Sequence, residues 1–288
     1  MDDAKREQIV QKYLSKYPGR LRFAGAKHPR IKQIHALRNN LKPNPKRSLV
    51  LEGIWALEMA QKTSSPIEAF LFSPEKIYSP EAEKIVDYFV RNAGDSFMIS
   101  ETVFEKASEK DNGQGLIAIV SLPKWSLSDI HPGDTSLIVI LDGVEIPGNI
   151  GTIFRTLDGV GGDAVFICNR RARLTHPKVI RGSRGSILRL PAIEADTEEL
   201  IQWLTENGYT IYLTDTDADS YYFEEKYYGR VAFVAGSERY GIAKDWYRPE
   251  TKLTSIPMLG ECDSLNVGIS TSIFLYEAGI QLKGLRSR

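Results

Sequence analysis

Three nearly continuous apolar runs limit the folds open to this chain more than any other feature of its sequence. They are TSLIVIL, DAVFIC and RVAFVAG, at residues 135–141, 163–168 and 230–236. Strands of a parallel sheet have this composition because helices cover both of their faces. Helical patterns lie between and after the runs, at residues 150–161, 197–208 and 264–283. Residues 135–288 are therefore predicted to form an α/β domain around a parallel sheet.

The first half of the chain predicts a separate, smaller α/β unit. A helix is expected over residues 1–17, and helices then alternate with strands between residues 31 and 122. Residues 123–134 contain two prolines and several turn-forming residues, so we expect a linker there. The prediction is an N-terminal domain over residues 1–122, this linker, and the C-terminal α/β domain.

The composition of the chain argues against a membrane, disulfide-rich or metal-binding protein. No apolar run approaches the roughly 18 residues that a membrane-spanning helix needs. The first 17 residues are charged throughout and lack the apolar segment of a signal peptide, so we expect a cytoplasmic protein. Cys168 and Cys262 are the two cysteines and the four histidines are scattered, which disfavours a disulfide framework and gives a metal site no support.

Basic residues are concentrated in two stretches, although the chain as a whole has no net charge. Residues 1–50 hold 13 Lys and Arg against three Asp and Glu, and residues 169–189 hold seven Lys and Arg and no carboxylate. A solvated helix face is the simpler interpretation of one such stretch, but two of them favour binding to a nucleic acid. The expected phosphate contacts are Arg22, Lys27, Arg30, Lys32, Arg38, Lys46 and Arg47 in the first stretch and Arg173, Arg181 and Arg184 in the second.

Residues 142–156 form a glycine-containing turn between the first apolar run and a helix. The sequence is DGVEIPGNIGTIFRT, with Asn149 at the expected start of the helix and Arg155 inside it. Asn149 is expected either to cap the helix or to serve in a site, and Arg155 either to pair with a carboxylate or to serve in the same site. The turn has neither GxGxxG nor GxxxxGK followed by Ser or Thr, which disfavours a nucleotide-binding loop and a Rossmann-type NAD enzyme.

Two further turns carry polar side chains in an equivalent position. VAGSERYGI at residues 234–242 contains Glu238, and SIPMLGECDSLNVGIS at residues 255–270 contains Ser264 and Asn266. Capping of the following helix is the alternative role for Glu238 and Ser264. All three turns follow probable parallel strands, and open α/β sheets bind ligands beyond the carboxyl ends of such strands. No Ser/His/Asp or Cys/His arrangement accompanies them, which disfavours covalent nucleophilic catalysis.

The three turns resemble, in order and spacing, the three motifs of the SpoU (TrmH-like) branch of the SPOUT RNA methyltransferases. The matching segments are NIGTIFRT, FVAGSERYGI and IPMLGECDSLNVGISTSIFLYE, and the similarity covers roughly residues 135–285. The segment RGSRGSILRLP is in addition similar to the thiostrepton-resistance group of ribosomal RNA methyltransferases. The N-terminal unit, through HPRIKQIHALRNN and SLVLEG, resembles the ribosomal-protein-L30-like substrate-binding domain of many members.

This resemblance implies an enzyme that transfers a methyl group from S-adenosylmethionine to a ribose 2′-hydroxyl of RNA, without a metal. Large-subunit ribosomal RNA is the favoured substrate and transfer RNA the alternative. A non-catalytic protein that occupies a ribosomal site is the alternative from a different functional class. The resemblance also implies a deep trefoil knot in the α/β catalytic domain and a homodimer whose active sites draw on both subunits.

The motif positions of the family imply roles for individual residues. The implied catalytic residues are Arg155, Asn149, Glu238, Ser264 and Asn266, and the implied cofactor-binding residues are Leu213, Gly236, Ile256, Met258, Ser264 and Leu265. Arg155 either holds the phosphate next to the target ribose or acts as the base. We favour the first role, because a guanidinium group is effectively always protonated in proteins. Glu238 is expected to orient Arg155 or a neighbouring backbone group, and the two asparagines to anchor the ribose and the loops.

Overall fold

The computed structural model describes residues 3–41, 43–109 and 113–285, and the contacts within the chain divide it into the units Met1–Pro123 and Lys124–Arg288. The first two residues of the helix expected over residues 1–17 lie outside the described residues. Among the residues described, no helix is both long enough and apolar enough to cross a membrane. Each unit contains its own sheet.

The N-terminal unit contains a five-stranded mixed sheet. Its elements are, in chain order, α1 (Asp3–Lys16), β1 (Leu21–Phe23), α2 (Pro29–Arg38), β2 (Ser48–Glu52), α3 (Ile54–Lys62), β3 (Ile67–Phe72), α4 (Pro80–Asn92), β4 (Asp95–Met98), α5 (Glu101–Ala107) and β5 (Leu116–Ser121). The strand order is β1-β4-β3-β5-β2. The strands β1, β4 and β3 run parallel, and β5 is antiparallel to both of its neighbours.

Local sequence signals explain where two helices of this unit begin. The hydroxyl of Ser79 accepts a 3.1 Å hydrogen bond from the backbone N–H of Ala82, and the hydroxyl of Ser100 accepts one of 3.3 Å from that of Val103. Each bond satisfies an N–H group that the first turn of a helix leaves unpaired. In α4 the first position is Pro80, which has no N–H to satisfy.

The C-terminal unit contains a six-stranded sheet in which every pairing is parallel. Its elements are β6 (Ser136–Asp142), α6 (Pro147–Gly159), β7 (Ala164–Cys168), α7 (Pro177–Ser183), α8 (Ser186–Arg189), β8 (Ala192–Glu194), α9 (Thr197–Glu206), β9 (Tyr209–Thr214), β10 (Arg230–Gly236), β11 (Lys252–Thr254) and α10 (Val267–Leu282). The strand order is β11-β9-β10-β6-β7-β8. Every residue of β6 and β7 is buried. The α/β domain with a parallel sheet, predicted from the three apolar runs, is confirmed.

Short elements account for most of the differences from the predicted element order. The sequence does not predict β1, β8 or β11, each of which has three residues. Three residues are too few to display the alternation of a half-buried strand. The basic stretch at residues 169–189, for which the sequence predicts no helix, contains the short helices α7 and α8. Pro177 occupies the first position of α7, and His176 caps it by accepting a 3.1 Å hydrogen bond from the N–H of Lys178.

Residues 124–134, which the sequence suggests as part of a linker, are in contact with the C-terminal unit. Leu127 and Ile130 pack against the hydrophobic cluster that contains Trp246. The guanidinium of Arg230 donates a 2.8 Å hydrogen bond to the carbonyl oxygen of Gly133. This segment, which contains a short 3₁₀ helix at Leu127–Asp129 and one of the two prolines, Pro132, is therefore held on the C-terminal domain.

Four neighbouring strands of the parallel sheet end at one edge. Gly236 of β10 lies opposite Asp142 of β6, and Leu213 of β9 lies between Val234 of β10 and Leu253 of β11. The loops after these strands consequently emerge side by side. They carry the three motifs, so the topology alone brings together segments that are far apart in the sequence.

Candidate active site

Asn149 links the three motifs through its side-chain amide. Its Nδ2 donates a 2.7 Å hydrogen bond to Oε1 of Glu238, and its Oδ1 accepts a 3.1 Å hydrogen bond from Nδ2 of Asn266. One amide therefore joins the loop after β10 to the start of α10. Asn149 itself is only 9% exposed, whereas Glu238 and Asn266 are exposed, so these bonds are partly shielded from water. Removing one partner would leave a buried polar group unpaired, which is costly.

Of the two roles open to Asn149, a helix cap and a place in the site, the structure does not show the first. The residue at the N-cap is Ile146, and Pro147 occupies the first helical position, where its missing N–H costs nothing. Asn149 is thus the third residue of the helix. Its side chain is free of a capping role, because it bonds to Glu238 and Asn266 instead.

Asn266, and not Ser264, caps α10. Its Oδ1 accepts hydrogen bonds from the backbone N–H groups of Gly268, at 3.0 Å, and Ile269, at 3.4 Å. The oxygen of the amide is used by the cap, so its Nδ2 is directed at Asn149. Ser264 is exposed, and its hydroxyl donates a 3.2 Å hydrogen bond to Asp263.

Glu238 lies in a tight turn that begins at the end of β10. Its Oε2 accepts a 3.3 Å hydrogen bond from the backbone N–H of Glu145, so the carboxylate ties this turn to the loop after β6. A Cβ atom on Gly236 would lie 2.4 Å from the carbonyl carbon of Gly241, so that position requires glycine. Of the two targets expected for Glu238, a neighbouring backbone group and Arg155, the structure shows the first.

Arg155 is exposed on α6, and within the described part of the chain it forms no hydrogen bond or ion pair. Six residues separate it from Asn149, which on a helix corresponds to a rise of roughly 9 Å and a rotation of about 120° from its direction. The two side chains that the first motif suggested as a pair are therefore not brought together within one chain. The alternative of a carboxylate partner for Arg155 is not realised either.

Glycines allow α6 and α7 to touch through their backbones. A Cβ atom on Gly151 would lie 2.7 Å from the carbonyl oxygen of Val179 and 2.9 Å from Cα of Gly182. The backbone of α7 thus occupies the space that a side chain at position 151 would need. This contact places α7, which carries Arg181 in its last turn, directly against the helix that carries Arg155.

A cleft lies between the loops that follow β9 and β11 and the beginning of α10. Its lining combines four of the six expected cofactor-binding residues with other polar and apolar side chains. The complete lining consists of Thr214, Asp215, Thr216, Ser255, Ile256, Met258, Ser264, Leu265, Ser270 and Phe274. The other two expected residues differ in position: Leu213 is fully buried next to Thr214, and Gly236 lies against the turn after β10, outside this lining.

Sequence reasoning missed Asp142, the last residue of β6. Its carboxylate is buried and accepts hydrogen bonds from Nδ2 of Asn169, at 2.6 Å, and from the backbone N–H of Ala243, at 2.7 Å. Asp142 therefore fixes the loops after β7 and β10 on the first strand. A carboxylate directly after an apolar strand was the available signal.

Near Asp142, burial raises the pKa of the Cys168 thiol to about 12, so this cysteine remains protonated and is not a nucleophile.

The expected phosphate-binding residues of the N-terminal unit fall into two groups. Lys27, Lys32 and Lys46 are exposed, whereas Arg22 and Arg30 both form ion pairs with Asp95. Arg30 also lies 3.9 Å from Glu68, and Arg47 is half-buried.

The expectation for Arg38 is wrong. Its side chain is only 8% exposed and pairs with the buried carboxylate of Glu52 at 2.6 Å. Arg38 thus holds β2 to α2 and is not available to a phosphate. On the C-terminal unit, Arg173, Arg181 and Arg184 lie in and next to the first of the two short helices of the basic stretch.

Metal binding receives no support from the side chains. Among the described residues, no group of three or more His, Cys, Asp or Glu is arranged to hold a metal ion.

Comparison with known proteins places the chain in a family. Residues 136–276 match the SpoU rRNA Methylase family, and residues 28–118 match the MRM3-like substrate binding domain. The 23S rRNA (guanosine(2553)-2′-O)-methyltransferase RlmP of Bacillus subtilis (strain 168) is 24% identical over 245 residues, covering 85% of this chain and 92% of that protein.

Two solved structures resemble the chain over nearly its whole length. The crystal structure of an AdoMet-bound rRNA methyltransferase from Sinorhizobium meliloti has a TM-score of 0.82 and 28% identity, covering 93% of this chain and all (100%) of that one. The crystal structure of an RNA 2′-O ribose methyltransferase has a TM-score of 0.72 and 30% identity, covering 90% of this chain and 98% of that one. On these matches, and with the three motifs joined at one edge of a parallel sheet, the chain belongs to the SpoU rRNA methylase family.

Proposed function

We propose that this protein transfers a methyl group from S-adenosylmethionine to a ribose 2′-hydroxyl of RNA, with large-subunit ribosomal RNA as the substrate. The observation that carries the proposal is the hydrogen-bonded series Glu238–Asn149–Asn266 beside the cleft after β9 and β11. It joins the three motifs of the family into one structure. The names of the relatives, a 23S rRNA and an rRNA methyltransferase, support the choice of RNA, and such a substrate implies a cytoplasmic enzyme.

The cleft fits the methyl donor by the chemistry of its lining. Ile256, Met258 and Leu265 offer apolar surface to an adenine ring, and the hydroxyl of Ser264 is available to a polar part of the molecule. Leu213 is fully buried in β9 next to Thr214, which lines the cleft, and Gly236 keeps the neighbouring turn close to the sheet. When bound, S-adenosylmethionine supplies an electrophilic methyl group on a sulfonium.

Arg155 is proposed to hold the RNA phosphate next to the target ribose. Because it has no ion pair within the described chain, its planar guanidinium is free to form the two parallel hydrogen bonds that a phosphate accepts. Aligning a nucleophile with a methyl donor contributes roughly 7–11 kcal/mol to catalysis, so positioning is a sufficient role. Proton removal by Arg155 is less favourable, since guanidinium groups give up a proton only far above neutral pH.

Asn149, Asn266 and Glu238 are proposed to keep the three loops in register, and Ser264 to contact substrates directly. The first three already use much of their hydrogen-bonding capacity on one another, whereas the Ser264 hydroxyl lines the cleft.

A homodimer is part of the proposal, because Asn149 and Arg155 point in different directions within one chain. The exposed sides of α6 and α10 carry apolar residues that one chain leaves in water: Ile146 is 48% exposed, Ile269 51% and Tyr276 50%. Burial of such residues drives association. A second chain on this face would place its own polar groups near Arg155.

The knot is likewise proposed rather than read from the sheet order. The chain after β11 is held by the loop after β9: the backbone N–H of Ser255 donates to the carbonyl oxygen of Ser220, and that of Tyr222 donates to Ser255, both at 2.9 Å. From there the chain continues into α10, which packs on α6 and β10. Hydrogen bonds between the end of a late strand and an earlier loop are consistent with a threaded C-terminus.

RNA binding is proposed to use exposed cations of both units. Lys27, Lys32 and Lys46 are the strongest candidates in the N-terminal unit, and the match of that unit to a substrate binding domain supports their role. On the catalytic unit, the exposed Arg181 and Arg184 and the half-buried Arg173 lie on or beside α7, which packs on the helix of Arg155. Arg22 and Arg30 are paired with Asp95 and Arg47 is half-buried, so these three are secondary candidates.

The experiment that tests this function is transfer of labelled methyl from S-adenosylmethionine to purified ribosomal and transfer RNA, followed by mapping of 2′-O-methylated positions. We expect label in large-subunit RNA, at a ribose. Label in transfer RNA alone would change the substrate and keep the reaction. A protein that binds RNA, transfers no label to it and does not bind S-adenosylmethionine would be a non-catalytic RNA-binding protein, and this result would refute the proposal.

A further inference from the structure

Asp215 brings a negative charge into the wall of the cofactor cleft. It follows β9 directly, and its backbone N–H donates a 3.1 Å hydrogen bond to the carbonyl oxygen of Thr254 at the end of β11. Asp215 thereby lines the same cleft as Ile256 and Leu265. None of the motif positions of the family pointed to this residue.

The carboxylate of Asp215 is held at both oxygens. Its Oδ1 accepts a 2.9 Å hydrogen bond from the backbone N–H of Asp217, and its Oδ2 accepts one from the phenol of Tyr247. Burial, and then the hydrogen bond to Asp215, raises the pKa of Tyr247, so the phenol stays a donor at every physiological pH. The orientation of the carboxylate is therefore fixed by two neighbours, neither of which neutralises its charge.

No cation of the described residues pairs with Asp215. Lys252, on the neighbouring strand β11, is directed at Glu225 at 3.7 Å. A half-buried carboxylate without a counter-charge favours a cationic ligand, since charges interact more strongly near protein than in bulk water.

The two forms of the cofactor differ by one positive charge. S-adenosylmethionine carries a sulfonium, and after methyl transfer the same sulfur is a neutral thioether in S-adenosylhomocysteine. The adenine, the ribose and the amino-acid end are common to both. A fixed carboxylate near the sulfur would therefore separate donor from product, whereas contacts with the common groups would not.

We infer that Asp215 is a specificity-determining residue that favours the sulfonium donor over the thioether product, and that Tyr247 is the positioning residue that aims its carboxylate. The inference rests on the proposed function, because it assumes that the cleft binds this cofactor. Its consequence is release of the product after each transfer, since the attraction disappears with the charge.

The test is calorimetric titration of the full chain with S-adenosylmethionine, S-adenosylhomocysteine and sinefungin, in which an ammonium group replaces the methyl sulfonium. The variants are Asp215→Asn and Tyr247→Phe. Asp217→Asn is the matched control, because Asp217 is exposed two residues away and does not line the cleft. Thermal melting of each variant verifies that it is folded.

For Asp215→Asn we expect about tenfold weaker binding of the two cationic ligands, a change of about 1.4 kcal/mol, with binding of the thioether changed less than about twofold. Tyr247→Phe should reduce the preference for the sulfonium by about threefold, and Asp217→Asn should leave it unchanged. Because Tyr247→Phe removes only a hydroxyl, it carries the test if Asp215→Asn does not fold.

Equal losses for all three ligands, or none, would overturn the role of Asp215, because they would mean that it contacts a group common to donor and product. Failure of the unaltered protein to bind either cofactor form would instead contradict the proposed function. The two failures are therefore distinguishable.

Discussion

Asn149 donates a 2.7 Å hydrogen bond to Glu238, which lies 89 positions further along the chain. The same amide accepts a hydrogen bond from Asn266, so a single side chain couples the first motif to the other two. Because the strands before these motifs belong to one parallel sheet and end at the same edge, small shifts of any one loop would displace the others. The consequences of this coupling are open to measurement.

Asn149→Asp should lower the free energy of unfolding by about 2 kcal/mol, because it removes a donor and places two carboxylates against each other. Asn149→Ala should cost about 1 kcal/mol. Urea denaturation at neutral pH measures both. Asn92→Ala is the control, because the amide of Asn92 is exposed and bonds only to Tyr88 of its own helix. An Asn149→Asp protein as stable as the original would show that this hydrogen bond does not stabilise the fold.

Gly151→Ala should destabilise the catalytic unit by about 1–3 kcal/mol, since the added methyl group would meet backbone atoms of α7 that cannot move aside independently. Gly148→Ala, in the same helix, should change stability by no more than about 0.5 kcal/mol, because, apart from its chain neighbours and the backbone of its own helix, no atom of the described residues lies within 4 Å of its Cβ position. Thermal unfolding of the two variants compares them directly. Equal stability would mean that α6 and α7 are not in backbone contact.

Arg38→Met should lower the free energy of unfolding by about 3–5 kcal/mol, because it leaves the carboxylate of Glu52 buried without its counter-charge. Lys32→Met, on the exposed side of the same helix, should leave stability within about 0.5 kcal/mol of the original. It should instead weaken RNA binding and reduce the salt dependence of the affinity by roughly one phosphate contact. Denaturation and RNA titrations at several salt concentrations separate the two. If Arg38→Met weakened RNA binding and Lys32→Met lowered stability, the structural role assigned to Arg38 and the RNA-binding role assigned to Lys32 would both be wrong.

Asp95→Asn should lower the free energy of unfolding near neutral pH, and this effect should disappear in acid. Hydrogen bonds from Arg30, and then Arg22, hold the pKa of Asp95 below its ordinary value of 3.8. A depressed folded-state pKa means that the ion pairs stabilise the fold above the unfolded value and that this contribution is lost as the pH falls through the folded value. At pH 6 we expect a difference of up to about 1 kcal/mol, as for other partly exposed pairs, and this difference should shrink as the pH is lowered below 3.8. Urea denaturation over this pH range measures it, and a difference that grew on acidification would contradict the assignment.

The parallel sheet and the meeting of three motifs were predictable because their signals are long or repeated. The runs that became β6, β7 and β10 are apolar almost throughout, and burial on both sides of a parallel sheet is the simplest cause of such composition. Parallel strands in turn place their following loops at one edge. The fold and the location of the candidate site follow from these two facts.

Partners of individual side chains were not predictable, because they depend on segments that are distant in the sequence. The positive charge of Arg38 suggested RNA, yet Glu52 lies where it buries that charge. Asn149 is of a residue type that often caps helices. However, the helix begins two residues earlier at Pro147, and the side chain of Asn149 bonds to Glu238 instead. Asp215 directly follows β9, much as Asp142 ends β6, but its place in the cleft depends on the pairing of the short strand β11 with β9, which the sequence does not predict.

The most direct test of the catalytic assignment compares the unaltered protein with Arg155→Ala in transfer of labelled methyl to RNA. Arg155 has no contact to lose within the described chain, so we expect unchanged stability, unchanged affinity for S-adenosylmethionine and a loss of turnover of at least about 100-fold. Arg155→Lys keeps the positive charge and loses the planar guanidinium, so its turnover should lie between those of the unaltered protein and Arg155→Ala. Turnover of Arg155→Ala close to that of the unaltered protein would contradict the account.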